Sequence, residues 1–206
     1  MTEPLAVAVA VEDVVPGVLY WEVHDEGIDF VSSSHAVQIS DGTVLIDPLP
    51  LAPDALERLV PATAVVLTAS VHQRSAWRLR RDLGVEVWAP ALSHQVEEEP
   101  DSRYGDGDRL PGGLLAIFTP GAGTTQHSLL LEGDRRVLFT PDLFAHEPGR
   151  PLQLVPAQYM HDPEEARLSA EKLLGYDFDV LCTSHGRPVT SAPHAAISRA
   201  LEADAG

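Results

Sequence analysis

The feature that most constrains the fold is a continuous apolar run, AVVLT at 64–68. A short run of this kind is typical of a strand that is buried on both faces. It is followed by SAWRLRRDLG at 75–84, which has the spacing of an amphipathic helix, and then by a second strand, VEVWAP at 85–90. This order of strand, helix and strand predicts a βαβ unit with parallel strands.

Antiparallel strands are predicted on both sides of this unit, because short β-type runs alternate with Gly-containing turns. The segment at 96–113 is polar and irregular and is predicted to be mainly loop. Two amphipathic helices are predicted at 163–174 and in the tail from Ser191, the first with Asp162 as its N-cap. The remaining strands are predicted at 5–11, 18–24, 35–40, 43–47, 114–120, 127–133, 135–142 and 179–184.

The order of these elements predicts one α/β domain that spans residues 1–206. Each half of the chain goes from antiparallel strands into a helix, which suits two sheets packed face to face with helices outside. A chain of 206 residues that is 44% hydrophobic is long enough for one substantial core and too short for two ordinary domains.

The charge balance excludes some classes of partner. The chain has 31 acidic and 14 basic residues, a formal net charge of −17 that repels nucleic acids and anionic membrane surfaces. No stretch approaches the length of a membrane span, and the lone Cys182 cannot form an intramolecular disulfide. We therefore expect a soluble, cytoplasmic protein whose oligomeric state the sequence leaves open.

Five segments, in order, resemble landmarks of the metallo-β-lactamase fold. Each resembles a strand whose end carries a metal-binding or supporting residue in that family, and together they span positions 43 to 189. The resemblance implies an α/β four-layer αββα sandwich of the metallo-β-lactamase type, with two mixed sheets, helices outside and hydrolase ancestry. The five segments are TVLIDPL at 43–49, AVVLTASVHQRS at 64–75, FTPGAGTTQHSLLL at 118–131, VLFTPDLF at 137–144 and VLCTSHGRPV at 180–189.

Most of the metal ligands that the resemblance implies are missing. When Thr68 is aligned with the Thr of the family's Thr-His-x-His-x-Asp-His signature, side chains unsuited to zinc take the four ligand positions. Methyl and isopropyl groups have no lone pair, an amide oxygen is a weak zinc ligand, and a guanidinium is permanently cationic. The four residues are Ala69, Val71, Gln73 and Arg74, and Ala122 stands where the Thr-Pro-Gly loop carries its His.

Two positions of the family's site are filled. Asp142 matches the carboxylate that bridges two metals, and His185 matches the last imidazole. Sliding the signature by one residue brings His72 onto its second His position. Asp47 matches a supporting residue that orients backbone amides at the end of its strand. We expect a cleft where loops 68–75, 120–127, 141–147 and 184–189 converge, lined by His72, Arg74, His127, Thr140, Asp142 and His185.

The first hypothesis is a metal-free cleft without a cofactor. If Arg74 projects from the loop end where the family has a His, its guanidinium replaces the cation and pairs with Asp142. A buried carboxylate without a cationic partner is costly, so some cation is needed there. The protein would then bind a small molecule or a partner, or be an inactive homologue, without hydrolysing anything.

The second hypothesis is an enzyme with a rebuilt mononuclear centre. His72, Asp142 and His185 form a two-His, one-carboxylate set, which suits one zinc or iron ion, with His127 as a further donor. Such a centre would activate water against a small ester, thioester or lactone. Metal-free nucleophilic catalysis is disfavoured, because the chain has no Gly-x-Ser-x-Gly elbow and Cys182 lies in a buried strand. The sequence identifies no catalytic residue.

Overall fold

A computed structural model describes residues 3–204 and contains two sheets. The first sheet has seven strands in chain order, antiparallel from β1 to β4 and parallel from β4 to β7. Two helices, α1 (Pro53–Leu56) and α2 (Ala76–Leu83), belong to this half. The strands are β1 (Glu12–Val15), β2 (Val18–Asp25), β3 (Phe30–Ile39), β4 (Gly42–Ile46), β5 (Ala62–Val66), β6 (Glu86–Pro90) and β7 (Ser102–Tyr104).

The second sheet has five strands. They are β8 (Leu114–Phe118), β9 (His127–Leu131), β10 (Val137–His146), β11 (Gln153–Leu154) and β12 (Val180–Gly186). β10 pairs antiparallel with β9 and β11 and parallel with β12. The helices of this half are α3 (Pro163–Leu173) and α4 (Pro193–Asp204). Among the described residues, none of the helices has the length and apolar character needed to cross a membrane.

The hydrophobic core forms three layers, one between the sheets and one under the helices on each side. In β4, Val44 and Ile46 lie in the central layer, whereas Leu45 packs in the same outer layer as Trp77 of α2. β5, β10 and β12 alternate in the same way, so their apolar runs are continuous because both faces are buried. This arrangement confirms the predicted α/β four-layer sandwich with two mixed sheets and helices outside.

Three differences from the predicted elements have a physical reason. The segment at 5–11 forms only a single bridge, between Ala8 and Leu51, because no neighbouring strand continues the ladder. Segment 102–104, predicted as loop, adds β7 to the edge of the sheet. β3 begins at Phe30 rather than His35, since the buried serines at 32–34 pack in the sheet without an apolar signal.

The candidate site is placed by the ends of β4, β5 and β12 and by the interior of β10. Asp47 follows β4, Thr68 lies just beyond β5, and His185 lies near the end of β12. Asp142 lies inside β10, where its pairing with β12 shifts register between Thr140 and Ala145. The irregularity opens the ladder at Asp142, so its side chain can face neighbouring loops instead of a strand.

Candidate functional site

Asp142 is the centre of a cluster of polar side chains. Its Oδ1 lies 3.0 Å from His72 Nε2, 3.0 Å from His185 Nε2 and 3.0 Å from Ser184 Oγ, which donates to it. Its Oδ2 accepts a longer hydrogen bond, 3.3 Å, from Gln126 Nε2. The Asp142 side chain is 22% exposed, and the other members of the cluster are largely buried around it. The structure thus brings together three of the predicted residues, His72, Asp142 and His185.

His72 connects Asp142 to a second carboxylate. It lies in a short 3₁₀ turn, Ser70–His72, directly beyond β5. Its Nε2 faces Asp142, and its Nδ1 lies 3.0 Å from Asp47 Oδ2. Because carboxylate oxygens accept hydrogen bonds, this geometry suits a protonated ring that donates from both nitrogens. His72 therefore supplies a positive charge between two negative ones.

The electrostatics of the pair agree with this geometry. Burial by itself lowers the pKa of His72, but the carboxylates of Asp142 and Asp47 outweigh it and raise that pKa to about 9. Burial likewise opposes ionisation of Asp142, yet the charge of His72 and the hydrogen bonds from His185 and His72 hold the pKa of Asp142 well below its usual range. At neutral pH the two side chains form a partly buried ion pair.

Asp47 holds the loop that carries His72. Its backbone is in the left-handed region, with φ of 47°, where the chain turns out of β4. Its Oδ1 accepts a hydrogen bond of 2.8 Å from the backbone N–H of Thr68, and its Oδ2 accepts from the hydroxyl of Thr68. These bonds fit the predicted supporting role of Asp47. They also fix the start of the segment that leads from β5 to His72.

The hydrogen bonds described for Arg74 join β3 to the loop after β4, and Asp142 is not among their acceptors. Arg74 Nη1 donates to the carbonyl oxygen of Ser33 at 2.7 Å and to that of Asp47 at 3.0 Å. The hydrogen bonds described for Asp142 join it to His72, His185, Ser184 and Gln126, and Arg74 is not among these partners. The reason is local: a backbone φ of 42° at Arg74 accompanies a side chain that runs towards β3. Arg74 thus joins β3 to the loop after β4, and His72 provides the cation at Asp142.

Two further predicted residues lie outside the cluster. His127 is buried between aromatic rings, with its centroid 5.2 Å from that of Tyr104 and 5.1 Å from that of Phe118. Its Nδ1 donates to the carbonyl oxygen of Thr125, and burial lowers its pKa. Thr140 is buried in β10, where its hydroxyl donates to the carbonyl oxygen of Cys182 at 3.4 Å.

Sequence reasoning missed two members of the cluster, Gln126 and Ser184. Each directly precedes a histidine that was singled out, His127 or His185; Gln126 lies just before β9, and Ser184 lies near the end of β12. Position at a strand end is therefore the signal that could have found them. Their residue types carried no such signal, because Gln and Ser are common on ordinary surfaces.

The donor set does not fit the dinuclear metal centre that the resemblance implies. In the described part of the chain, no group of three or more His, Cys, Asp or Glu side chains is placed to hold a metal ion. Gln73, which stands at the position of the signature's Asp, uses its side-chain amide in other hydrogen bonds. Its Oε1 accepts from Trp77 Nε1 at 2.8 Å, and its Nε2 donates to the carbonyl oxygens of Ser70 and Gln95.

Comparison with known proteins agrees with this architecture. Among solved structures, the chain is similar to TMB-1, with a TM-score of 0.75, 15% identity and coverage of 98% of this chain and 100% of that one. It is also similar to a metallo-β-lactamase from Pontibacter korlensis, with a TM-score of 0.73, 18% identity and coverage of 94% and 99%. An archaeal superfamily protein from Sulfolobus tokodaii gives a TM-score of 0.69, 15% identity and coverage of 91% and 86%.

At these identities the structural likeness shows the fold alone. No curated protein sequence matches the chain significantly. The family model of the metallo-β-lactamase superfamily, however, matches residues 14–184, which include both sheets up to the strand that carries Ser184. The chain therefore belongs to the metallo-β-lactamase superfamily.

Proposed function

We propose that this protein is a metal-free member of its superfamily that binds a small molecule or a partner and does not hydrolyse substrates. One observation carries the proposal: the His72 ring spans the gap between Asp47 and Asp142, with 3.0 Å contacts on both sides. Its side chain is only 6% exposed, so this charge lies inside the protein. The carboxylate that matches the family's metal bridge is thus neutralised by a side chain.

The chemistry of the cluster supports the same proposal. Metal-dependent hydrolysis needs a cation with an open position that lowers the pKa of a bound water. With Nε2 bonded to Asp142 and Nδ1 bonded to Asp47, the His72 ring offers a lone pair to a metal only if it gives up a proton. Asp142 Oδ1 already has three hydrogen-bond partners, His72, His185 and Ser184. The cluster therefore favours a fixed polar core over a water-activating centre.

A second candidate is a mononuclear hydrolase that acts on a small ester, thioester or lactone. One observation favours it: the Nδ1 atoms of both histidines are held as in metal-bound histidines. His72 Nδ1 contacts a carboxylate oxygen of Asp47, and His185 Nδ1 donates to the carbonyl oxygen of Val31 at 2.9 Å. It ranks second because these donors, as arranged, form no metal-holding group with Asp142.

Metal content separates the two candidates. The protein is purified without chelator and analysed by inductively coupled plasma mass spectrometry, beside an active metallo-β-lactamase carried through the same steps. We expect less than about a tenth of an ion of zinc or iron per chain, because tight sites retain their metal through purification. We also expect no turnover of an ester, thioester and lactone panel with or without added zinc. One ion per chain, lost in His72→Ala and His185→Ala, would establish the second candidate.

A further inference from the structure

A small pocket beside α4 lies outside the Asp142 cluster. It has a volume of about 140 Å³ and is formed where the end of β10, the loop after β12 and helix α4 meet. Its apolar lining includes Leu152, Val189 and Ala196, and its polar lining includes His146, Ser191 and Arg199. We propose that this pocket binds a short-chain carboxylate, with the tail on the apolar lining and the head group at Arg199.

The apolar lining sets the size of the ligand. Leu152, Val189 and Ala196 are buried and belong to the core layer under α3 and α4. A cavity of about 150 Å³ accommodates benzene, so this pocket has room for about six non-hydrogen atoms. A tail of three carbons with a carboxylate, as in butyrate, matches that volume.

The polar lining sets the charge of the ligand. Most arginines of this acidic chain pair with carboxylates, as Arg80 does with Asp101 and Arg187 with Glu12. Within residues 3–204, no hydrogen bond or ion pair is described for Arg199. A guanidinium matches a carboxylate in both charge and planar geometry. A carboxylate ligand would supply the partner that the protein does not.

His146 and Ser191 complete the polar lining. His146 Nδ1 donates to the carbonyl oxygen of Arg187 at 2.7 Å, which fixes the ring. No protein partner is described for its Nε2, and Ser191 adds a hydroxyl group. Both can bond to a head group that Arg199 holds.

This site does not depend on the proposed function. The pocket shares no residue with the cluster of Asp47, His72, Asp142 and His185. A metal bound at that cluster would leave the pocket proposal standing, and an empty pocket would leave the metal question as it is.

An NMR titration of the full-length protein with butyrate tests the proposal. We expect saturable backbone amide shifts at Ser191, Ala196 and Arg199, with a millimolar dissociation constant typical of so small a ligand. Butyramide, the uncharged analogue of the same shape, should bind at least about tenfold more weakly, because it lacks the charge that pairs with Arg199.

Matched arginine variants complete the test. Arg199→Gln should weaken butyrate binding at least about tenfold, since it removes the charged partner of the head group. Arg135→Gln, which changes another exposed arginine with no described ion pair, should leave binding unchanged. Equal binding of butyrate and butyramide, shifts centred elsewhere, or undiminished binding by Arg199→Gln with its fold intact would each overturn the proposal.

Discussion

At residue scale, His72 places a positive charge between two carboxylates, those of Asp47 and Asp142. The sequence pointed to Asp142, His185 and His72 through the resemblance of their segments to the metal-ligand positions of the family. It could not assign the cation to His72 over Arg74. That choice depends on side-chain directions set by left-handed backbone at Asp47 and Arg74, which non-glycine residues seldom adopt and sequence patterns do not reveal.

Removing the His72 ring should strongly destabilise the protein. His72→Ala leaves Asp47 and Asp142 without the cation between them, and breaking a buried pair in this way costs about 3 kcal/mol of unfolding free energy. The measurement is urea unfolding at pH 7. His24→Ala, which removes the exposed contact with Asp29, is the control and should cost less than about 0.5 kcal/mol. Equal losses in the two variants would mean that the buried pair adds no stability.

The same pair should make stability fall at alkaline pH. In the folded protein the pKa of His72 is raised to about 9 from its ordinary value of 6.5, so its contribution to stability is fully present below about pH 6.5. Between those values the folded protein binds more protons than the unfolded chain, and stability declines as the pH rises. Urea unfolding at pH 6, 7.5 and 9 measures the slope. In His72→Gln the slope should become shallower; an unchanged slope would assign it to other groups.

At the scale of elements, sequence signals that act within a few residues predicted where secondary structure begins. Helix α3 begins where Asp162 and Pro163 indicated, and Asp162 Oδ1 accepts a hydrogen bond of 3.0 Å from the backbone N–H of Glu165. A cap acts over three or four residues, so its consequence can be read directly from the chain. Segment 5–11 shows the opposite case, since alternation cannot reveal whether a partner strand exists.

Loss of the α3 cap should have a moderate effect. Asp162→Ala leaves the N–H of Glu165 without its side-chain acceptor and should cost about 1 kcal/mol of unfolding free energy. Chemical denaturation measures it, beside Asp134→Ala in the exposed β9–β10 turn, for which no hydrogen bond is described. That control should change stability by less than about 0.5 kcal/mol. If the two variants were equally stable, the cap would have no energetic role.

A glycine at the end of β12 is required for close approach to β10. Gly186 has φ of 87°, and an added Cβ would collide with the backbone carbonyl of His146. Gly186→Ala should therefore cost clearly more than Gly84→Ala, where φ is 70° but nothing lies within 4 Å of the added Cβ. We expect about 1 kcal/mol for Gly84→Ala from backbone strain alone, and at least about 2 kcal/mol more for Gly186→Ala. Thermal and urea unfolding compare them.

At the scale of the whole molecule, the hydrophobic layers that hold the sheets together are built without the polar cluster around Asp142. The three hydrophobic layers arise from alternation within strands such as β4, β5 and β10, and none of that burial involves a metal ligand. The sheets can therefore persist while Ala69, Val71 and Ala122 stand where the resemblance places histidines. The order of strands and helices was predictable for the same reason, because it is recorded in hydrophobic periodicity.

The net charge should make the stability of the whole protein depend on salt in a defined direction. With 31 acidic and 14 basic residues, we expect the repulsion among unpaired carboxylates to exceed the attraction within the surface ion pairs. Folding brings these carboxylates closer together, so the repulsion is larger in the compact state.

Raising sodium chloride from about 20 mM to about 300 mM shortens the screening length to below about 10 Å and should raise the melting temperature by several degrees. Differential scanning calorimetry measures the change. Neutralising three exposed carboxylates with no described ion pair, by Asp54→Asn, Asp82→Asn and Glu202→Gln in one variant, should reduce the response. A melting temperature that falls with salt would show instead that ion pairs dominate the surface electrostatics.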